Sequence, residues 1–191
     1  MAAVGLVGAF PGVLEPAAGL RPASGPRARS GSFGWLVAAP APPAWSHETS
    51  PSGATLSYPA PFAPLTGDPG SISAAVRSGD GQFRAYLNVT PRQGDERPHG
   101  FAAFRTHLLG GEHDRSVHRE AAAEGLPFLG ATGSCVLDDY VTRIGHHHFR
   151  EVACLVTGPR AADVVVAAAT TREWNRFRPL LRQAVASFAV S

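Results

Sequence analysis

The clearest pattern in the chain is an alternation of apolar and polar residues on both sides of Asp80-Gly81. This dipeptide between two alternating runs is typical of a β-hairpin with a two-residue type I′ turn. The turn would bring three apolar residues of the first run opposite three of the second. The predicted pairs are Ile72 with Val89, Ala74 with Leu87, and Val76 with Ala85. All six side chains then share one face, so turn chemistry and strand register agree.

Further strands are predicted on the same grounds. The stretch ATLSYP alternates, with Ala54, Leu56 and Tyr58 on one face. The first half of DRSVHREAAAEG favours a strand, and three more strands are expected at residues 133–144, 147–157 and 162–170. The stretch DVVVAAAT in the last of these is apolar on both faces, as in a central strand that is covered on both sides.

Two segments have the period of amphipathic helices. Residues 98–109 begin with a proline, end before a glycine, and carry the stripe Phe101, Phe104 and Leu108. The C-terminal helix carries the stripe Trp174, Phe177, Leu181, Val185 and Phe188. Thr170 and Glu173 have capping-box spacing. Because proline removes a backbone hydrogen bond, we expect a short turn at residues 174–178 and the main helix from Pro179.

These elements predict an α+β fold, an α/β/α sandwich with a mainly antiparallel sheet of about six or seven strands between two helices. Residues 46–191 would form this single domain. Residues 1–45 are rich in Ala, Gly and Pro and are predicted to be a disordered segment and linker. Residues 2–14 are apolar, but a positive n-region is absent and Pro11 interrupts the run, so a disordered tail is favoured over a signal peptide.

The element order and the closing pattern W…L…AVASF resemble the PsbP-like sandwich family, which includes LpqN-like actinobacterial proteins. The resemblance covers roughly residues 49–190. Because members of this family are mostly non-enzymatic extracytoplasmic or accessory proteins, the resemblance implies a binding or scaffolding role. The chain departs from the lipoproteins of this group because it has no lipid-bearing cysteine near its start, which leaves membrane anchoring unsupported.

Composition excludes several functions. All 17 basic residues are arginines, so Schiff-base, pyridoxal, Walker-type and Ser–Lys chemistries lack their lysine. The net charge is only +2 and the basic residues are scattered along the chain, so nucleic-acid binding is not expected. No run approaches the ~20 apolar residues of a membrane-spanning helix. We expect a cytoplasmic protein as the chain is written, and an exported one if the N-terminal segment belongs to a signal.

The only two cysteines, Cys135 and Cys154, bound a second predicted hairpin. A two-residue type II′ loop at Gly145-His146 would pair Leu137 with Cys154 and set the cysteines diagonally on one face. Diagonal neighbours lie ~7–8 Å apart at Cα, slightly beyond the usual span of a disulfide. A shifted loop or a bulge would close this gap. A disulfide and two buried free thiols therefore both remain open, and the redox compartment would decide between them.

His146 and His148 at the tip of this hairpin can share a face, since strand side chains alternate. As metal ligands they need a third partner, with His113, His118 or a carboxylate as candidates. A metal-assisted hydrolase is therefore the alternative function, although a solvated hairpin tip is the commoner meaning of such a pattern. No cofactor is expected.

Four other residues are candidates for ligand binding. Asp139 and Arg150 share the cysteine face diagonally, as a structural cross-strand pair or as an acid with its positioning arginine. Gln93 and Arg97 precede the first helix, whose N-terminal amides can hold an anion. No nucleophile and base can be combined from local spacing. We therefore expect a non-catalytic binding or accessory domain, whose partner is a protein or a small molecule.

Overall fold

The computed structural model describes residues 31–112 and 114–191. The elements follow one another in this order: β1 (Ser46–Thr49), β2 (Ala54–Tyr58), β3 (Ala63–Leu65), β4 (Ile72–Arg77), β5 (Phe83–Pro91), α1 (Phe101–Glu112), β6 (Asp114–Phe128), β7 (Ala131–Thr142), β8 (His148–Thr157), β9 (Ala162–Thr170), α2 (Trp174–Ala186) and β10 (Ala189–Val190). Neither of these helices has the length and apolar character needed to cross a membrane.

A seven-stranded sheet in the order β3-β4-β5-β9-β8-β7-β6 forms the centre of the fold, and its neighbouring strands are antiparallel. Helix α1 packs on one face, where Phe101 contacts Val136 and Leu155. Helix α2 covers the other face together with the small sheet β1-β2-β10. The predicted α/β/α sandwich with an antiparallel sheet is confirmed. Strand β9 is buried on both faces, as its composition indicated.

The β4–β5 hairpin has the predicted pairing but a different turn. Ile72 pairs with Val89 and Val76 pairs with Ala85. However, the Ser78 amide donates to the Gln82 carbonyl at 2.9 Å, so the loop has three residues, and Gly81 has a positive φ of 84°. A bulge after Val76 absorbs the extra residue. The type I′ prediction is therefore wrong, while the register is right.

Helix α1 starts at Phe101 rather than at Pro98. Its buried apolar residues are Phe101 and Leu109, not the predicted Phe104 and Leu108, which are only half-buried. Arg105 lies between Phe101 and Leu109 on the same face of the helix. The inward face therefore includes an arginine, which apolar periodicity does not reveal.

Helix α2 has the predicted apolar stripe but a different start. It is continuous from Trp174 and contains Pro179, so the expected short turn at residues 174–178 is wrong. The proline leaves only the Asn175 carbonyl without its helical donor, and Asn175 is exposed to water. The capping box does not form, because the Glu173 side chain pairs with Arg84 instead of the helix.

Part of the predicted linker belongs to the packed structure. Phe33 and Leu36 are buried in the main core. The Phe33 ring lies 6.2 Å from that of Trp35, and the Ala39 amide donates to the Ala186 carbonyl at the end of α2 at 3.1 Å. These contacts extend the packed chain to the N-terminal side of residue 46. Residues 1–30, where the rest of the predicted disordered segment falls, lie outside the described residues.

The β7–β8 hairpin has a four-residue loop at positions 143–146 instead of the predicted two-residue loop. The backbones of Thr142 and His147 bond at 2.9 Å. The Thr142 hydroxyl donates to the Ile144 carbonyl at 2.8 Å and accepts from the His147 amide at 3.0 Å. Gly145 and His146 take positive φ values of 75° and 48° to return the chain. The Thr142 side chain thus provides hydrogen-bond partners for two backbone groups of the longer loop. Alternation of apolar and polar residues alone does not predict such a loop.

The longer loop shifts the strand pairing by two residues from the predicted register. Cys135 now lies directly opposite Cys154, with their Cα atoms 4.1 Å apart, and the two form a disulfide. Of the two open alternatives, the structure contains the cross-link. The bridge joins β7 to β8 and is buried on the face covered by α2.

A buried polar cluster joins α1 to the sheet face that it covers, which is the face opposite the disulfide. Asp138 and Glu151 are direct neighbours across β7 and β8, and both are fully buried. Arg105 donates from Nε and Nη2 to Glu151 Oε1 at 2.9 and 2.8 Å. The Tyr86 and Tyr140 hydroxyls lie 2.8 Å apart, and Tyr86 donates to Glu151 Oε2 at 3.4 Å. A register that pairs Leu137 with Cys154 would set Glu151 opposite Tyr140, whereas the observed register sets it opposite Asp138.

Asp138 is the residue of this cluster whose buried carboxylate is not hydrogen-bonded within the described part of the chain. Neither of its carboxylate oxygens has a hydrogen-bond partner among the described residues. Burial, and then the charge of Glu151, raise the pKa of Asp138 from its ordinary 3.8 to about 7, against the opposing charges of Arg105 and Arg119. The carboxyl group is therefore favoured in its protonated form inside the folded protein.

The cross-link generates a first prediction. Replacing both cysteines (Cys135→Ala with Cys154→Ala) should lower the free energy of unfolding by about 3 kcal/mol, because the bridge closes a loop between residues 19 apart. Urea denaturation followed by far-UV circular dichroism measures this difference. In reductant, the wild type should approach the double variant. A gap that persists in reductant would mean that lost packing, not the cross-link, accounts for it.

Asp138 generates a second prediction. Below its unfolded pKa near 3.8 the group is protonated in both states, so its burial costs no ionisation energy. As the pH rises toward about 7, the unfolded chain releases this proton before the folded protein does. The free energy of unfolding should therefore fall by roughly 2–4 kcal/mol. Asp138→Asn keeps the shape without the charge. Its stability relative to the wild type should therefore increase between pH 5 and pH 8. A constant difference across this range would show that Asp138 does not titrate there.

Candidate functional site

Asp139 and Arg150 meet on the face of the sheet that carries the disulfide and α2. They are direct cross-strand neighbours, not the predicted diagonal pair. Arg150 Nε lies 3.7 Å from Asp139 Oδ1, and Arg150 Nη2 also pairs with Glu120 on β6. The Arg150 guanidinium lies 5.5 Å from the centre of the Trp174 ring. Arg150 thus connects the sheet to the start of α2.

Helix α2 adds two further arginines beside this pair. Trp174, Arg178 and Arg182 follow one another at four-residue spacing, so their side chains share one face of the helix. The Arg182 guanidinium lies 5.0 Å from the centre of the Trp35 ring. Arg150, Arg178 and Arg182, with their neighbours Trp35, Glu120, Asp139 and Trp174, are called the arginine cluster below.

The cluster has more positive than negative charge. Arg150 has two carboxylate partners, whereas Arg178 and Arg182 make no ion pair with any described acidic residue. The Nε atoms of Arg150 and Arg182 are buried without a hydrogen-bond partner in the described part of the chain. Burial, and then the charge of Arg178, lower the pKa of both Arg150 and Arg182. Guanidinium groups therefore repel one another here while some of their donors are unused.

The pKa of Asp139, one of the two acidic residues of the cluster, is also shifted. Burial raises the pKa of Asp139, while the charge of His118, its neighbour on β6, acts in the opposite direction. Asp139 nevertheless lies against Arg150, which favours the carboxylate. Chemically, this arrangement is suited to holding a planar anionic group, because guanidinium forks bind carboxylate, phosphate or sulfate with paired hydrogen bonds.

The other two predicted ligand-binding residues lie elsewhere. Gln93 and Arg97 are on the exposed β5–α1 connection, which leads onto the opposite face of the sheet. Arg97 lies 3.6 Å from Asp95. At the start of α1, the Gly100 amide donates to Glu124 at 3.1 Å, so the chain's own carboxylate takes the place of an external anion. The structure does not bring Gln93 and Arg97 to the arginine cluster.

The three histidines line a separate cleft of about 400 Å³, where the β4–β5 turn, the β7–β8 loop and the β9–α2 connection meet. His146 and His148, the predicted metal ligands, are both among its lining residues. No three His, Cys, Asp or Glu side chains of the described residues converge as a metal-binding group. His113, one proposed third ligand, lies outside those residues, and His118 lies opposite Asp139. The metal site stays a prediction.

Sequence reasoning missed Arg178, Arg182 and Trp35 as members of the site. The four-residue spacing of Trp174, Arg178 and Arg182 was visible, but it marks a helix face without saying what that face meets. Trp35 gave no signal, because it lies in the stretch predicted to be linker. Contacts between elements distant in sequence decide both points.

No known family profile matches the chain, and no curated protein matches it. Solved structures do resemble it. Cyanobacterial PsbP (CyanoP) from Synechocystis sp. PCC 6803 is 14% identical with a TM-score of 0.53, over 78% of this chain and 93% of that one. PA94 from Pseudomonas aeruginosa, a protein of unknown function and putative regulator, is 10% identical with a TM-score of 0.51, over 77% and 97%. LpqN from Mycobacterium tuberculosis, involved in cell envelope biogenesis, is 16% identical with a TM-score of 0.40, over 80% and 81%.

The chain therefore has a PsbP-like fold, as its element order and closing helix indicated. At these identities the likeness concerns the fold alone, and one fold supports many functions. What the chain does has to be argued from its own side chains.

Proposed function

We propose that the chain is a non-catalytic binding or accessory domain that takes up an anionic group at the arginine cluster. The observation that carries this proposal is the position of Arg178 and Arg182, which lie half-buried beside Arg150 without a described carboxylate partner. Charged groups in such surroundings are normally paired. A bound anion would supply the missing partner.

The arrangement of the cluster favours binding over mere surface charge. Arg178 and Arg182 extend from one face of a well-packed helix, and Arg150 from a central strand. Trp174 and Trp35 lie against Arg150 and Arg182, which limits the freedom of those guanidinium groups. An anion would therefore meet donors that are already partly ordered, and less conformational entropy would be lost on binding.

The comparisons support the accessory part of the proposal. One protein of similar fold is described as a putative regulator and another as a PsbP protein. Neither description names a reaction. A binding role accords with the arginine cluster, whose guanidinium groups can hold an anion through paired hydrogen bonds.

The proposal predicts that inorganic phosphate or citrate binds the protein and changes its tryptophan fluorescence, since Trp35 and Trp174 lie in the cluster. The double variant R178Q/R182Q should weaken binding by about a hundredfold, because each hydrogen bond to a charged group contributes ~1.5–3 kcal/mol. Isothermal titration calorimetry measures the dissociation constants, and the fluorescence change locates the ligand.

The matched control is R160Q/R176Q, which removes the same charge at two exposed arginines outside the cluster. At a salt concentration that screens the long-range effect of net charge, this control should have a dissociation constant within about twofold of the wild-type value. Equal weakening in both double variants would mean that net charge alone attracts the anion. Absence of binding by the wild type at millimolar phosphate and citrate would refute the proposed ligand class.

A further inference from the structure

The apex of the β7–β8 loop presents an isoleucine to solvent. Ile144 is 88% exposed, more than any other large apolar residue described. The loop that carries it is ordered, because the Thr142 hydroxyl bonds to both the Ile144 carbonyl and the His147 amide. Glycine suits position 145, since its φ of 75° is a left-handed backbone conformation that other residues rarely adopt. The exposed side chain is thus held outward by specific contacts.

A second apolar residue lies at the same end of the sheet. Phe83, at the start of β5, lines the histidine cleft and is 39% exposed. The Arg77 guanidinium lies 4.6 Å from the centre of its ring. Ile144, Phe83 and the residues around the cleft are called the sheet tip below. Both apolar side chains of the sheet tip are accompanied by basic groups.

Among the side chains that the structure describes, charge at the sheet tip is predominantly positive. Four arginines lie on the loops and strand ends that form it: Arg77, Arg84, Arg143 and Arg172. The acidic side chains described there are Asp80, bound to Ser78 and the Gln82 amide, and Glu173, paired with Arg84. Arg143 and Arg172 make no ion pair with a described residue, and three histidines line the cleft together with Arg172. The surface is therefore complementary to negative charge.

We propose that the sheet tip docks on an anionic lipid surface, with Ile144 entering the interface and the flanking arginines contacting headgroup phosphates. Basic residues beside exposed apolar ones are the combination by which peripheral proteins bind such surfaces. The proposal is independent of anion binding at the arginine cluster, because it uses different residues.

The shape of the tip favours lipid over an acidic protein. A stable protein interface buries on the order of 1,000 Å² or more between complementary surfaces. Ile144 instead projects alone from a narrow loop between polar neighbours. A lipid interface adapts to a single projecting side chain, and its negative surface potential adds ~1 kcal/mol for each nearby arginine.

The test is sedimentation of the 191-residue chain with vesicles of phosphatidylcholine alone, or of phosphatidylcholine and phosphatidylglycerol in equal parts. We expect binding to the anionic vesicles and little to the neutral ones. Ile144→Ser should lower the partition coefficient about tenfold, through loss of inserted apolar area. The double variant R143Q/R172Q should lower it about thirtyfold, through loss of two favourable charges.

Two variants serve as controls. Val37→Ser removes an apolar residue that is 65% exposed and lies near Pro127, at the opposite end of the sheet, so it should leave partitioning unchanged. R178Q/R182Q should also retain vesicle binding. Any contribution of residues 1–30 is common to all variants. Circular dichroism checks that each variant is folded, and all the substituted tip residues are exposed.

Several results would overturn the inference. Failure of the wild type to bind anionic vesicles would do so directly, as would an equal effect of Val37→Ser and Ile144→Ser. Loss of vesicle binding in R178Q/R182Q but not in Ile144→Ser would assign the lipid phosphate to the arginine cluster instead. Binding to polyglutamate but not to vesicles would identify an acidic protein as the partner of the sheet tip.

Discussion

The register of the β7–β8 hairpin is the constraint on which the other features depend. The Thr142 hydroxyl stabilises a four-residue loop, and this loop sets the pairing along both strands. Three juxtapositions follow at once: Cys135 with Cys154, Asp139 with Arg150, and Asp138 with Glu151. A shift of two residues would keep every side chain on its face but separate all three pairs. The same loop also presents Ile144 to solvent. The cross-link, the candidate site and the buried acid pair therefore share one register, and the hydrogen bonds of Thr142 stabilise the loop that goes with it.

The charged side chains on the two faces of the sheet differ in burial and in pairing. Because side chains alternate along β7, Asp138 and its neighbour Asp139 point to opposite sides. On the α1 side, Asp138 and Glu151 are fully buried, and Arg105 compensates only one of them. On the α2 side, arginines outnumber carboxylates and remain half-exposed. The first arrangement makes stability depend on pH, whereas the second leaves hydrogen-bond donors available to a ligand. The disulfide lies on the second side, beneath the helix that carries Arg178 and Arg182.

The PsbP-like fold is present although the likeness to CyanoP rests on 14% identity. Such a fold requires alternating strands, covered sheet faces and two amphipathic helices, and many sequences satisfy these requirements. The residues that form the arginine cluster and the sheet tip are not needed for that architecture. Their function therefore has to be established by experiments on this chain, and the two proposals concern separate surfaces that can be tested independently.

The sequence by itself determined the fold class, the β4–β5 register, the central position of β9 and the apolar stripe of α2, because short-range periodicity encodes which face of an element is buried. It also placed His146 and His148 at one hairpin tip and left the disulfide open. Alternation does not reveal the β7–β8 register, because that register goes with a loop stabilised by hydrogen bonds of the Thr142 side chain. Only the tertiary structure decided the burial of Arg105 and Glu151 and the meeting of Arg150 with Arg178 and Arg182. These contacts join elements distant along the chain, and hydrophobic periodicity carries no information about which polar side chains will meet across them.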